Sequence, residues 1–342
     1  MMEFNDRHLS AVSTRASSVD SLFPENLNYD VVIVVPSWDH RSKSILKASR
    51  FHADLGIIIS FTDRDDLGIT DESEKLLTEF LWSRCETTTH IEEDSSNTQL
   101  IWTRLFSLIE KYAVQKSTAL RFLFDISTCP RYYFLGLVAE CFRLGIAVEF
   151  SCLYAEGEYP QDSPADRHDL FTRGGWDSIP IPGLEGEWDP GKKRCYLVSI
   201  GFEGTKTLRF VSRSEPDRLI VLFPDPAVLP EYTERTRNRN KMLFENYPDS
   251  KVLRASAADA VDTWRILSEN NEEKTNDENT FFVCCGTKPQ SLGMTLRAMM
   301  KPECAVLYIV PDHHQVVETK PSGFYWRYDI RDSTALLALK NQ

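Results

Sequence analysis

VVIVVPSWDHRSKS (31–44) and CYLVSIGFEGTKT (195–207) are two similar stretches of this chain of 342 residues, and they indicate its fold class. Each is an apolar run that ends in small and polar residues, which is typical of a buried β-strand followed by a turn into a helix. Alignment of Ser37 with Gly201 also aligns Asp39 with Glu203, and further strand-like runs follow at similar distances in both halves. We therefore predict an internal duplication.

A second pair of matching stretches follows later in each half: RFLFDISTCPR (121–131) and TFFVCCGTKPQ (280–290). Superposition of Thr128 on Thr287 aligns their flanking small residues, and an amphipathic helical stretch precedes both strands. Short strands that alternate with helices are typical of βαβ units with right-handed crossovers. The predicted fold class is α/β, with two tandem, internally duplicated Rossmann-like lobes that contain parallel sheets.

Composition suggests the domain boundaries. The first residues are rich in Ser and Asn, and a central segment is rich in Gly, Pro and Asp, which is typical of connections. The aromatic-rich stretch GFYWRYDIRD (323–332) is predicted to be a strand of the second lobe. We predict a flexible N-terminal tail (1–28), a first lobe (29–155), a connector (156–193) and a second lobe (194–342).

Charge and hydropathy exclude several functional classes. The chain has 39 basic and 51 acidic residues, giving a net charge of −12, which does not suit binding to nucleic acid as a bulk polyanion. No apolar run is long enough to span a bilayer, and the N-terminus lacks a secretory signal, so we expect a cytoplasmic protein without a membrane partner. The eight cysteines lie mainly in apolar strand-like runs, which favours reduced, buried thiols.

The turns after the first and fourth strands of each lobe are the candidate ligand site. Ligands of open parallel sheets bind beyond the carboxyl ends of the strands, where the strand order reverses. Small residues before a helix expose backbone N–H groups to an anion, and Arg or Lys supplies counter-charge, although the same residue types also cap helices in ordinary turns. The candidate residues for binding a small anionic nucleotide are Ser37, Asp39, Arg41, Ser127, Thr128, Arg131, Gly201, Glu203, Thr205, Lys206, Gly286, Thr287 and Lys288.

The duplicated pattern resembles the CARF and SAVED group of Rossmann-like domains, which sense nucleotides in prokaryotic defence systems. DISTCPR (125–131) and CCGTKPQ (284–290) are similar to that group's Asp-x-Thr-Gly-Gly-Thr-Lys turn, with departures at Cys129 and Cys284. The resemblance implies a sensor or adaptor in antiviral defence that binds a nucleotide second messenger, such as a cyclic oligonucleotide. It also implies that signalling passes to a protein effector partner.

Two alternatives stay open beside the sensor. The motifs of P-loop enzymes, dinucleotide-binding enzymes, α/β-hydrolases and zinc proteases are absent from the sequence. An enzyme acting on a nucleotide or phosphoribosyl substrate is the first alternative, with His40 as general base and Asp125 in a ribose-phosphate loop as candidate catalytic residues. Only that enzyme would need Mg²⁺, held by Asp39 and Glu203; otherwise we expect no cofactor or metal. A scaffold without a small-molecule ligand is the second alternative.

Overall fold

The chain folds into two compact units. The computed structural model describes residues 9–64, 69–160, 172–173, 177–270, 277–311, 313–314, 317 and 319–332. Unit 1 comprises residues 1–160 together with 318–342, and unit 2 comprises residues 161–317. The chain therefore leaves unit 1 after its sixth strand, builds all of unit 2 and then returns to unit 1.

Unit 1 is built on a seven-stranded sheet. Its strands are β1 (Leu9–Ala16), β2 (Leu27–Val34), β3 (Phe51–Phe61), β4 (Cys85–Glu93), β5 (Leu120–Asp125), β6 (Ala147–Glu158) and β15 (Lys320–Asp332). Their order in the sheet is β1-β15-β6-β5-β2-β3-β4. The strands from β6 to β4 in that order are mutually parallel, whereas β15 is antiparallel to both of its neighbours. The α-helices are α1 (Ile69–Arg84), α2 (Thr98–Lys116) and α3 (Arg131–Arg143), and short 3₁₀ helices cover Asp20–Leu22, His40–Lys47 and Thr62–Arg64.

Unit 2 contains the strands β7 (Thr172–Arg173), β8 (Ser178–Pro180), β9 (Lys193–Ser199), β10 (Arg218–Pro224), β11 (Lys251–Ala255), β12 (Glu278–Cys284), β13 (Ala305–Ile309) and β14 (His313–His314). Six of them form a sheet with the order β11-β10-β9-β12-β13-β8, in which β8 alone is antiparallel to its neighbour. The other two, β7 and β14, pair with each other. The helices are α4 (Gly204–Ser214), α5 (Pro230–Arg239), α6 (Lys241–Asn246), α7 (Ala260–Asn270) and α8 (Lys288–Met299).

The parallel parts of the two sheets have the same strand order. Numbered along the chain within each unit, both read 3-2-1-4-5: β4-β3-β2-β5-β6 in unit 1 and β11-β10-β9-β12-β13 in unit 2. This confirms the predicted α/β class with two Rossmann-like lobes of mostly parallel strands. A shared order is what a duplication would produce, but the duplication itself stays a prediction.

Buried strands form a rigid base for the turns that follow them. Val31, Val32 and Ile33 on β2 are fully buried, as expected for a central parallel strand that is covered on both faces. In unit 2, Val198 on β9 and Val221 on β10 are likewise fully buried, in one core cluster with residues of α4 and α6. Close packing on both faces fixes where each strand ends, and therefore where each turn begins.

The predicted N-terminal tail is corrected over the described residues of 1–28. Leu9–Ala16 forms β1, which pairs with β15 along its whole length, and Leu22 and Phe23 are buried in the core of unit 1. Burial of these two apolar side chains holds this segment to the sheet. Residues 1–8 lie outside the described residues.

Two other boundaries also differ from the expectation. The stretch 323–332 is a strand as predicted, but it belongs to the sheet of unit 1, where β15 hydrogen-bonds to both β1 and β6. Within the predicted connector (156–193), residues 156–158 continue β6, and β8 adds an edge strand to the sheet of unit 2. Residues 161–171 and 174–176 of this connector lie outside the described residues.

The structure also bears on the expected state of the cysteines and on the expected lack of a membrane-spanning segment. All eight cysteines are thiols; seven are buried and Cys285 is half-buried, which confirms the interpretation drawn from the sequence. Within the part of the chain that the structure describes, no helix combines the length and apolar character needed to cross a membrane.

Candidate functional site

In unit 2, the turns after the first and fourth strands touch, as predicted from their place in the sheet. The backbone N–H of Gly286 donates to Ser199 Oγ at 3.0 Å. A Cβ added to Gly201 would lie 3.5 Å from the carbonyl oxygen of Cys285. Because α4 and α8 begin directly after these turns, the N-termini of two helices lie at the switch point of this sheet.

The start of α4 carries a lysine and a glutamate. Lys206 lies in the first turn of α4 and is 7% exposed, with its Nζ 3.7 Å from Glu203 Oε2. Glu203 is the N-cap residue, but its side chain makes no capping hydrogen bond. The first hydrogen bond of α4 runs from the Thr207 N–H to the carbonyl oxygen of the N-cap residue Glu203. The backbone N–H groups of Gly204, Thr205 and Lys206 come before that bond, in the first turn of the helix.

The predicted residues at the start of α8 mostly build the turn itself. Thr287 Oγ1 accepts from Gln290 N, and Gln290 Oε1 accepts from Thr287 N, forming a capping box. A Cβ at Gly286 would lie 2.5 Å from Gln290 Oε1 and 2.9 Å from Ser199 Cβ, so this tight turn requires glycine. Lys288, the first residue of the helix, is half-buried and brings a positive charge to the turn.

An arginine and two aromatic side chains form a cluster at the turn after β9, and none of them was among the predicted site residues. The guanidinium carbon of Arg235 on α5 is 4.3 Å from the ring centre of Phe202, a distance typical of a cation–π contact. Phe202 also packs edge-on against Tyr232, with ring centres 5.2 Å apart. The sequence signal was the run of alternating arginines in 235–239, which follows the second strand of this unit.

Asn240 connects α5 to the turn after β9. Its buried Nδ2 donates to the carbonyl oxygens of Gly201 at 2.7 Å and Thr236 at 2.8 Å. A Cβ at Gly204 would lie only 1.8 Å from the carbonyl oxygen of Arg239, so α4 begins in direct contact with the end of α5. The position of Arg235 is thereby tied to the backbone of the candidate site.

In unit 1, the equivalent turns also meet, but their polar side chains hold the turns together. Thr128 Oγ1 donates to the Val35 carbonyl oxygen at 2.8 Å. Ser127 Oγ accepts from Ala155 N at 2.9 Å, while Ser127 N donates to Asp125 Oδ1 at 2.9 Å. These bonds join the turn after β5 to Val35, just after β2, and to Ala155 within β6. Arg131 is half-buried and is the first residue of α3.

The predicted counter-charge of unit 1 is paired inside the protein. The Arg41 guanidinium donates to both carboxylate oxygens of Asp39 and, from Nη1, to Tyr159 Oη at 3.2 Å. Burial opposes the charge, but Tyr159 and Asp39 together outweigh it and hold the pKa of Arg41 above its ordinary value. Ser37 Oγ accepts from Asp39 N at 3.2 Å. Asp39 is thus engaged by Arg41, which disfavours its predicted role in holding Mg²⁺.

The two candidate catalytic residues lie in different environments. His40 is exposed and begins the 3₁₀ helix after β2. Asp125 is 3% exposed at the end of β5 and accepts the Ser127 N–H. An exposed imidazole and a carboxylate that organises a buried turn do not by themselves form an acid–base pair, so both catalytic roles stay predictions.

Charged groups of both signs lie at the carboxyl edges of both sheets. In unit 1, Asp63, Glu93 and Asp94 lie after β3 and at the end of β4, and Asp63 accepts from Ser95 N at 2.8 Å. In unit 2, Lys206 pairs with Glu203, Arg237 with Glu234 and Arg254 with Asp225. Lys206, Arg235 and Lys288 lie beside the turns after β9 and β12, so this part of unit 2 offers positive charge to an anion.

No metal centre is evident in the portion of the chain that the structure describes, where no three side chains of His, Cys, Asp or Glu are grouped to hold an ion.

No protein-family model matches this sequence, and no curated protein is significantly similar to it. The resemblance to the CARF and SAVED group therefore stays a prediction.

Proposed function

We propose that this protein binds a small anionic nucleotide at the carboxyl edge of the unit 2 sheet and acts as a sensor that signals to a partner protein. The observation that carries the proposal is the contact between the turns after β9 and β12, each of which begins a helix with a lysine in its first turn. The phosphate would lie against the backbone N–H groups that start α4, beside Lys206 and Lys288.

Electrostatics supports this placement. A helix N-terminus carries about half of a positive elementary charge, and each favourable interaction with an anion contributes about 0.3–1 kcal/mol at an exposed site. Two N-termini and two lysine ammonium groups act on the same region, where Lys206 is largely withdrawn from water and therefore weakly screened. Glu203 opposes the anion, so we expect the lysine to turn from Glu203 to the phosphate when the ligand binds.

The aromatic group beside the turn supports a nucleotide over a simple phosphate. Phe202 is half-buried, and Arg235 already lies over its ring at a stacking distance. A base that stacks on an aromatic or guanidinium plane gains about 1–3 kcal/mol. A phosphate-binding turn next to such a plane suits a ligand with both an anionic and a planar part.

The sensor role rests on the resemblance and on how α5 is attached. Asn240 ties α5 and α6 to the carbonyl of Gly201, so a shift of this turn on ligand binding would also displace these helices. Coupling of this kind can expose or hide a surface for a partner protein. A sensor of this kind leaves its ligand chemically unchanged.

Binding can be measured by calorimetry with a panel of mononucleotides, dinucleotides and cyclic nucleotides. We expect Lys206→Met and Lys288→Met each to weaken nucleotide binding by tenfold or more, equivalent to about 1.4 kcal/mol. Lys301→Met is the matched control, because Lys301 follows the opposite end of α8 and pairs with Glu303. Equal loss in all three variants, or none in any, would place the nucleotide elsewhere.

Mass spectrometry of the nucleotide after incubation separates the sensor from an enzyme. An unmodified nucleotide supports the sensor. Conversion of the nucleotide that disappears in His40→Ala or Asp125→Asn would replace the proposal with the enzyme alternative.

A further inference from the structure

The two large sheets have four outer edges, and one of them differs from the rest. The edges are β1 and β4 in unit 1, and β8 and β11 in unit 2. An outer strand exposes unpaired backbone N–H and C=O groups that can pair with another chain, and proteins usually protect such edges with charge, shortness or bulges.

Three of the four edges have this protection. β4 carries Glu86, Glu92 and Glu93 within its nine residues. β11 carries Lys251 and Arg254 within five residues, and β8 is only three residues long. Pairing of β4 or β11 with a second copy of itself would bring like charges together.

β1 lacks these devices. It is eight residues long, LSAVSTRA, and its register with β15 runs unbroken from Leu9↔Asp332 to Ala16↔Tyr325. Arg15 is its one charged residue, and the Val12 side chain at its centre is 59% exposed. A long, regular and almost uncharged strand thus lies at the outer edge of this sheet, with no further strand beside it among the described residues, in a protein with a net charge of −12.

We propose that β1 pairs antiparallel with β1 of a second copy of this chain, around a two-fold axis at Val12. Identical antiparallel strands related by a two-fold axis perpendicular to the sheet place one residue opposite its own counterpart, because side chains on opposite faces cannot face each other. With Val12 on the axis, Thr14 lies opposite Ser10 and Arg15 lies opposite Leu9. This register brings Val12, the most exposed apolar residue of the strand, into contact with its own counterpart.

The charge on β1 is compatible with pairing between two copies of this strand. Arg15 meets an aliphatic residue of the other copy rather than another arginine. Its guanidinium is also already neutralised within its own chain by Glu156, with Nε 3.0 Å from Oε1. Across the axis Val12 faces Val12, Ala11 faces Ser13, and Ser10 faces Thr14, whose hydroxyl groups can form a stabilising hydrogen bond between antiparallel strands. The edge therefore brings no like charges together, although each copy is acidic as a whole.

The dimer is expected to be weak. A single strand pair buries less area than a standard interface of about 1,600 Å², so dissociation in the micromolar range is expected. This inference is independent of nucleotide binding, because it uses a different unit and a different edge of the fold.

Analytical ultracentrifugation of the full-length chain from micromolar to millimolar concentration tests the association. We expect a monomer–dimer equilibrium in the native chain and a shift to monomer in Val12→Lys, which places two like charges on the axis. Val114→Lys is the matched control, because Val114 is 78% exposed on α2, and it should dimerise as the native chain does.

A cross-link tests the register. Val12→Cys should form a disulfide-linked dimer under mild oxidation, whereas Val114→Cys should not. A native chain that stays monomeric at every concentration overturns the proposal, as does a dimer that Val12→Lys leaves intact.

Discussion

The Arg41 guanidinium and the Asp39 carboxylate form a buried ion pair two residues apart, with Nη2 2.6 Å from Oδ2 and both side chains close to nine-tenths buried. Removal of one partner leaves the other charge buried without compensation, which costs about 3–5 kcal/mol. We expect Arg41→Met to lower the free energy of unfolding by about this amount in urea denaturation. Lys43→Met is the control, because Lys43 pairs with the exposed Glu72 and should cost less than about 1 kcal/mol. Equal losses in the two variants would contradict a structural role for the Arg41 pair.

A second prediction concerns two glycines that follow β9, Gly201 in the turn and Gly204 at the start of α4. Gly204→Ala would place a Cβ 1.8 Å from the Arg239 carbonyl oxygen, so α4 and α5 must move apart. Overpacking of this kind costs about 1–3 kcal/mol, and we expect it to appear in thermal unfolding. At Gly201 the nearest atom to an added Cβ is 3.5 Å away, so Gly201→Ala should be tolerated. The prediction is wrong if Gly204→Ala is as stable as Gly201→Ala.

Trp326 provides a third test. Its Nε1 donates to Glu156 Oε1 at 2.6 Å, and the Glu156 side chain is only 2% exposed. Loss of a donor to a buried carboxylate costs about 1–3 kcal/mol, so Trp326→Phe should be destabilised by that amount in chemical denaturation. Trp82 also donates through Nε1, to Thr88 at 2.9 Å, but it is 66% exposed. Trp82→Phe should therefore change stability by less than about 0.5 kcal/mol, and a larger effect there than at Trp326 would refute the assignment.

Thiol reactivity gives a fourth prediction. Burial, with a further contribution from Asp54, raises the pKa of Cys85 to about 12, and burial also raises the pKa of Cys141 and Cys152. Since the thiolate is the reactive form, brief alkylation of the native protein should modify the half-buried Cys285 first. Peptide mass spectrometry would show this, with Cys285→Ser as control. Early modification of Cys85 would contradict its burial.

The same thiols predict how stability changes at alkaline pH. The folded-state pKa of Cys85 lies above the value of about 8.5 expected for an unfolded thiol, so the folded protein holds more protons in this range. The free energy of unfolding should therefore fall as the pH rises above about 8.5. Denaturation curves between neutral and alkaline pH measure this, and Cys85→Ala should show a smaller fall than the native chain.

Local sequence patterns were sufficient to predict the central strands and the contact between the turns after the first and fourth strands of each lobe. β2 and β9 are apolar runs whose boundaries follow from the polar residues after them, and the sheet order then brings Thr128 next to Val35. Strand pairing between distant parts of the chain could not be predicted from local patterns. The partner of β1 lies at the other end of the chain, and the alternation in LSAVSTRA is too weak to identify it.

The candidate site was predictable in position but not in detail. Sequence places Arg41 and Lys206 at equivalent turns, but it does not show that Arg41 pairs with Asp39 at 2.6 Å and Lys206 with Glu203 at the longer distance of 3.7 Å. The contact of Arg235 with Phe202 depends on how α5 packs against α4, which no periodicity encodes. Side-chain pairing within a turn and helix placement above a sheet are set by tertiary packing.

The location of β15 between β1 and β6 has a consequence for protein synthesis. While the ribosome translates residues 161–317, the strands of unit 1 up to β6 are already made, but the strand that joins β1 to them does not yet exist. The nascent chain must therefore carry β6 as a temporary outer edge and β1 without its partner until residue 332 has left the exit tunnel. Unit 2, whose strands are contiguous in sequence, can complete its sheet first, so the two units finish folding in the reverse of the order in which they begin.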